Sequence, residues 1–280
     1  MKAVHRLAQV TAAVAFLLII AGALVTSTGS SLAIPDWPLA YGHLIPPMHG
    51  GIPFEWGHRV MAGIVTLLTF FLAGLIWRVE KRGRVKLLAA AAAGGIVVQA
   101  IFGGMTVLLR LPPELSIAHA CLGPIVFCLL VSLAQTTSVW YADPATVIAT
   151  PSSAAFKKTG WIFAGVVFLQ ILWGAIIRHM GQAVGLHILW AFVVLGVTVF
   201  VLVKSYRPVK IPQLSRPALL LVHLVPLQFI LGFISLKILF SSTFNPGFGA
   251  AAALTAAHVA VGDLILATTV IWLLRTYKTR

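Results

Sequence analysis

The chain has 280 residues, 60% of them hydrophobic and 9% charged, with a mean hydropathy of +1.01. A soluble domain carries about a quarter of its residues as charged side chains, so a water-soluble globule is excluded and the chain belongs in a bilayer. Its net charge of +14 arises from 20 lysines and arginines against 6 acidic residues, but most of these cations fall at span ends, as topology signals do, and they give no reason to invoke nucleic acid.

A helix needs roughly 20 apolar residues to cross the hydrocarbon core. Eight stretches qualify, at about 8 to 27, 58 to 77, 87 to 109, 115 to 136, 159 to 177, 184 to 203, 217 to 239 and 252 to 274. Lipid offers the backbone no hydrogen-bond partners, so the expected fold is an all-α membrane protein of eight transmembrane helices. Lys2, His5 and Arg6 ahead of the first span imitate a signal peptide. Its apolar run continues into Gly22 through Ser30, which has a counterpart later in the chain, so the span is read as a retained helix.

The long connection at roughly 28 to 57 contains Pro35-Asp36-Trp37-Pro38, which predicts ordered turns capping the bundle. At the start of the second span stands Glu55-Trp56-Gly57-His58-Arg59. On a helix Glu55 shares a face with His58 at i,i+3 and with Arg59 at i,i+4. The rise from Glu55 to His58 is about 4.5 Å, which places the carboxylate for proton transfer at the edge of a ring ligated by His58. The plainer reading is a Glu-Arg pair stabilising a helix start.

Thr26, Thr28, Ser30, Gly103-Gly104 and Thr106 read as close-packing devices between membrane helices. Cys121 and Cys128 lie about 10.5 Å apart along one helix axis, too far for a disulfide, and read as packing residues. Glu114 reads as a solvated loop charge. The polar stretch at about 138 to 158, with Asp143, Pro144, Pro151 and Ser152, divides the chain into halves, 1-140 and 141-280. In the second half the outer connection, about 178 to 186, is short, and Val184 and Ile188 stand where the first half has Glu55 and Arg59. A turn is expected at Asn245-Pro246-Gly247. Asp263, inside the last span, is either a proton- or haem-associated group or one end of an interhelical hydrogen bond.

Four histidines recur at matching depth: 61 residues separate His58 from His119, and 71 separate His187 from His258. Gln99-Ala100-Ile101-Phe102-Gly103 parallels Gln228-Phe229-Ile230-Leu231-Gly232, and Gly22-Ala23-Leu24-Val25 parallels Gly174-Ala175-Ile176-Ile177. The expectation is two pseudo-repeated four-helix bundles with both histidine pairs on one side of the membrane. The positive-inside rule puts both termini in the cytoplasm and the histidines outside. Arg59, Arg110, Arg178 and Lys237 break the rule, and anionic ligand groups would account for them. Imidazoles from facing helices suit two haems, whereas zinc or copper wants three or four converging ligands. His223 is read as structural, His5 and His49 as solvent-facing or loop residues, and His43 and His179 carry no assigned role.

Taken together, Gly22 through Ser30, Leu32-Ala33-Ile34-Pro35-Asp36-Trp37-Pro38, Glu55-Trp56-Gly57-His58-Arg59 and Gly103-Gly104-Met105-Thr106-Val107 ahead of His119 resemble the haem A synthase family over nearly the whole chain. The resemblance implies an oxidoreductase of the cell membrane that converts a ring methyl of haem O to the formyl group of haem A through two hydroxylations and loss of water. It implies that His58 and His119 flank the iron of substrate haem O, that Arg59 either balances Glu55 or meets a haem propionate, that Glu55 is the catalytic carboxylate, and that His187 and His258 hold the iron of haem b. The haem O-forming enzyme and an electron acceptor are the implied partners. Many members carry a cysteine pair in the first outer loop; here the positions hold Ile34 and Ala40, which implies a subtype with no thiol chemistry there. The residues alone leave open a two-haem cytochrome b-like electron carrier and a haem transporter or assembly factor.

Overall fold

The computed structural model describes residues 2–149, 153–206, 211–240 and 247–279. Within them run α1 (Lys2–Ser27), α2 (Ile52–Val79), α3 (Gly83–Leu108), α4 (Pro113–Thr137), the short α5 (Val139–Ala142), α6 (Ser153–Met180), α7 (Val184–Tyr206), α8 (Pro212–Phe240) and α9 (Phe248–Thr276). All but α5 are long and apolar enough to span a bilayer, so this is an eight-span, all-α membrane protein. Of the expected outer turn, Asn245 and Pro246 lie outside the described residues, as do Pro151 and Ser152 of the boundary stretch.

Local chemistry explains the helix ends. After α1, Gly29 takes φ +67° and the Ser30 amide donates to the Val25 carbonyl at 2.9 Å, the pattern of a glycine-terminated helix. Proline opens α2 and α4, where a missing N–H costs nothing. Gly181, at φ +69°, closes α6 with its amide donating to the Ile177 carbonyl at 2.9 Å.

Each half repeats one packing scheme. In the first, α1 packs on α2, α2 on α3, α3 on α4 and α4 back on α1; in the second, α6, α7, α8 and α9 form the same ring. The halves join through α1 against α9, α4 against α6 and α4 against α9. The most buried spans are accordingly α4 and α9, at the seam. Large side chains such as Leu72, Ile76, Leu130, Phe163, Leu221 and Trp272 fill the interior, while Leu67, Phe71, Leu189 and Phe233 point outward, as lipid permits. Because α2, α4, α7 and α9 start where their preceding helices end, residues near those starts gather at one end of the bundle.

Candidate functional site

Gathered at that end are His58 on α2, His119 on α4, His187 on α7 and His258 on α9, each facing the preceding helix of its hairpin. The contact is the same four times. A Cβ on Gly22 would lie 2.9 Å from Cε1 of His58, one on Gly103 3.0 Å from that of His119, one on Gly174 3.2 Å from that of His187, and one on Gly232 3.0 Å from that of His258. Each imidazole therefore lies on a bare patch of helix that only glycine provides. Four residues before these glycines come Leu18, Gln99, Gln170 and Gln228. The amide of Gln99 donates to the His119 carbonyl at 3.0 Å and that of Gln170 to the His187 carbonyl at 3.1 Å, while Gln228 Nε2 lies 3.5 Å from His258 Nε2.

These contacts refine two readings. Gly103 does let α3 and α4 approach closely, with His119 as the side chain it seats, whereas a Cβ on Gly104 would lie 2.7 Å from the Trp37 ring of the loop between α1 and α2. The repeat also runs deeper than two halves, since every hairpin carries a glycine shelf and a histidine. Its signal was in the sequence as Gln-x-x-x-Gly at 99/103, 170/174 and 228/232; comparing only whole halves missed Gln170.

The rings of His187 and His258 stand 6.2 Å apart, centroid to centroid, inclined at 72°. With an imidazole nitrogen about 2 Å from a bound metal, and that nitrogen about 1 Å from its ring centre, two axial ligands span about 6 Å, so one metal atom fits between them. His58 and His119 are likewise close enough to act on each other electrostatically. None of the four Nδ1 atoms has a hydrogen-bond partner among the described residues although all are shut off from solvent. Buried polar atoms left orphaned at four equivalent places point to a group that the polypeptide does not supply. No three histidine, cysteine, aspartate or glutamate side chains converge among the described residues; a metal held by one histidine pair would take its remaining ligands from the group that carries it. A planar macrocycle with two axial imidazoles fits these donors.

The first pair has a superstructure that the second lacks. Glu55 is buried, with 3% of its surface exposed. Its Oε1 accepts from Arg59 at 2.6 Å and its Oε2 from the Ile34 amide at 2.9 Å. Arg59 donates further to the carbonyls of Asp36 at 2.7 Å, Leu39 at 2.8 Å and Ile34 at 3.2 Å. The pair thus stitches the outer loop onto the first turn of α2. Asp36 closes the loop on itself, accepting from the amides of Gly42 and Tyr41, and these bonds hold its carboxyl below the ordinary value. Ile34 and Ala40 pack with Ile52 as a small separate core under the loop. At the equivalent place in the second half Val184 is the first residue of α7.

Other positions resolve differently. His5 is not solvent-facing: its Nδ1 lies 3.0 Å from the Ala134 carbonyl, tying α1 to the end of α4. His223 pairs with the Leu219 carbonyl of its own helix and faces outward, His43 and His49 are exposed in the loop, and Glu114 is an exposed residue in the first turn of α4 rather than a loop charge. Arg59 meets Glu55, and Arg178 reaches across the seam to α1. Cys121 and Cys128 are free and buried, as read from the sequence.

The sequence model of the COX15-CtaA family, described as cytochrome oxidase assembly protein, matches residues 5–51 and 52–187. The chain belongs to this family. The matched region holds Glu55, His58, Arg59, His119 and His187, while the glycine and glutamine of α8 extend the same pattern to His258 beyond it. Similar curated proteins named Heme A synthase include that of Bacillus pumilus (strain SAFR-032), 29% identical over 183 residues that make up 63% of this chain and 59% of the relative. Those of Staphylococcus haemolyticus (strain JCSC1435) and Symbiobacterium thermophilum (strain DSM 24528 / JCM 14929 / IAM 14863 / T) are each 29% identical, over 56% and 65% of this chain and 53% and 61% of their own lengths. The chain spans less than two thirds of the length of these relatives.

Proposed function

We propose that this protein oxidises the ring methyl of haem O to the formyl group of haem A, using the first half as the substrate site and the second as a haem b site. The observation that carries the division is Glu55: buried, fixed by two hydrogen bonds and one turn from His58, with an apolar valine at the matching place before His187. Under this reading His58 and His119 hold the substrate haem by its iron, and Trp37, seated on Gly104 beside the His119 shelf, covers the site from the outer loop.

The chemistry asked of the chain is positioning and proton movement. Each hydroxylation exchanges a C–H for a C–OH with water as the oxygen source, releasing two protons and passing two electrons to the acceptor; after the second, the geminal diol loses water to give the formyl group. Glu55 is held against rotation by Arg59 on Oε1, a charge-assisted bond, so the oxygen free to take a proton is Oε2, whose partner is only a neutral amide. Arg59 is a positioning residue, its donors spent on Glu55 and three loop carbonyls. A haem b held by His187 and His258 would supply one-electron transfer. The basic residues at the opposite end of the bundle support cytoplasmic termini in a cell membrane, with both sites toward the outer face. The haem O-forming enzyme is the natural donor of so hydrophobic a substrate, and an electron acceptor is required by the stoichiometry.

The test is to express the chain with a source of haem O and identify the extracted haems by mass. Haem A and its hydroxymethyl precursor are expected. Glu55→Ala keeps a haem b spectrum and loses conversion; conversion at the wild-type rate in that variant removes Glu55 from the mechanism. Folded, haem-loaded protein that returns haem O unchanged overturns the synthase reading in favour of an electron carrier or haem-handling protein.

A further inference from the structure

We infer that Arg178 binds a carboxylate of the haem held by His187 and His258, a porphyrin propionate at the seam between the two halves. This rests on the haem-binding reading of that histidine pair. Arg178 stands two residues from the outer end of α6, where an arginine can extend to water. It turns inward instead. One terminal nitrogen of its guanidinium donates to the Ala23 carbonyl at 2.9 Å and to Ser27 Oγ at 2.7 Å, both on α1 of the other half. Ser27 Oγ also accepts from Thr255 at 2.9 Å, one turn before His258 on α9. The guanidinium is thereby held where α1, α6 and α9 meet.

The cation has no counter-ion among the described residues. Of the six acidic residues, Glu55 pairs with Arg59 and Glu80 with Arg82, and these are the ion pairs among the described residues. Asp36 is engaged by loop amides, Asp143 by the Ala145 amide at the opposite end, Glu114 is exposed at the head of α4, and Asp263 is buried beside Cys121 and Cys128. Arg178 accordingly donates only to neutral oxygens, and Nε and the other terminal nitrogen bond nothing among the described residues. A half-buried arginine held by one nitrogen keeps the rest of its planar fork in the geometry that pairs with a carboxylate. The anion must come from outside the polypeptide. The bond that Ser27 makes to Thr255, one turn before His258 on α9, together with the place of Arg178 on α6, the helix that precedes His187, selects the second-half haem.

The test uses full-length protein purified in detergent from haem-depleted cells, titrated with protohaem and with its dimethyl ester, which lacks both carboxylates, and read by the absorbance of the bis-imidazole complex. Wild type should bind the ester more weakly than the acid. In Arg178→Leu the acid should weaken by about ten- to a hundredfold, the range for hydrogen bonds to a charged group, with little change for the ester, so the acid-to-ester ratio falls by that factor. Arg178→Lys, which keeps the charge and loses the fork, should fall between, and it carries the test if the leucine variant does not fold. An unchanged ratio in both variants overturns the inference, as does an equal loss for acid and ester, which would assign Arg178 to a lipid phosphate or to structure. His258→Ala separates the two readings: protohaem binding that survives it refutes the histidine site itself, whereas binding lost in His258→Ala with an unaltered ratio in the Arg178 variants refutes only the propionate contact.

Discussion

Substituting Gly232 by alanine puts one methyl group under His258. The new Cβ would lie 3.0 Å from Cε1, about 0.4 Å short of the 3.4 Å at which ordinary contact begins, and the contact atom is a ring packed in a helix interface. Either the ring tilts or α8 and α9 part by a few tenths of an ångström. Metal-ligand distances tolerate only about 0.2 Å, so the 6.2 Å pair with His187 cannot absorb the shift, and the haem affinity of the proposed haem b site should fall by about tenfold, as when a ligand's supporting contacts are lost. Fold stability should change less, because alanine regains about 1 kcal/mol of helix propensity against an overpacking cost of about 1–3 kcal/mol. The assay is haem b content and low-spin absorbance per mole of purified protein, alongside thermal unfolding. Gly165→Ala, where a Cβ meets nothing within 4 Å, serves as the control and should keep wild-type haem content. Gly174→Ala, at 3.2 Å, should be milder than Gly232→Ala. Wild-type haem content and spectrum in Gly232→Ala would refute the claim that the glycine shelf sets ligand geometry.

Arg59→Lys cannot reproduce four simultaneous guanidinium bonds; the outer loop should loosen by about 2 kcal/mol, seen as faster proteolysis between residues 28 and 51 with the second-half haem retained. Gly104→Ala should cost about 1–3 kcal/mol by lifting Trp37, and the cost should vanish in a Trp37→Ala background; a strictly additive double mutant would separate the two residues. At the end of the bundle opposite the histidines, Arg82 hydrogen-bonds the Glu80 carboxyl and lowers it from the ordinary 4.5 to about 2. A folded-state value below the unfolded one means its stabilisation is complete above pH 4.5 and is lost as pH falls toward 2. Glu80→Gln should therefore flatten the acid limb of thermal unfolding in that window, and an identical pH profile in the variant would contradict the assignment.

Much of this protein follows from one dimension. Eight apolar runs in a chain with few charges dictate eight helices, because lipid leaves the backbone no other way to satisfy its hydrogen bonds, and the described spans fall on those runs. The four histidines and the lone Glu55 were equally legible, since ionisable groups are costly in a span and stand out against alanine and leucine. The halves were visible too, although the hairpin-level repeat was obscured because Leu18 stands where the other three hairpins have glutamine.

Other features depend on distances that no spacing rule supplies. That Gly103 seats a ring while neighbouring Gly104 seats Trp37, that Glu55 anchors the Ile34 amide 21 residues away, and that His5 serves α4 are outcomes of helices meeting at particular faces. The contrast between Arg59 and Arg178 makes the same point. In sequence both are outer-end arginines that break the charge rule; in the folded bundle one spends its donors on a carboxylate and three carbonyls, while the other crosses the seam and keeps most of its fork free. Composition can place a charge at a depth in the membrane, but its partners come from segments far away in the chain, and only tertiary packing decides which of them it meets.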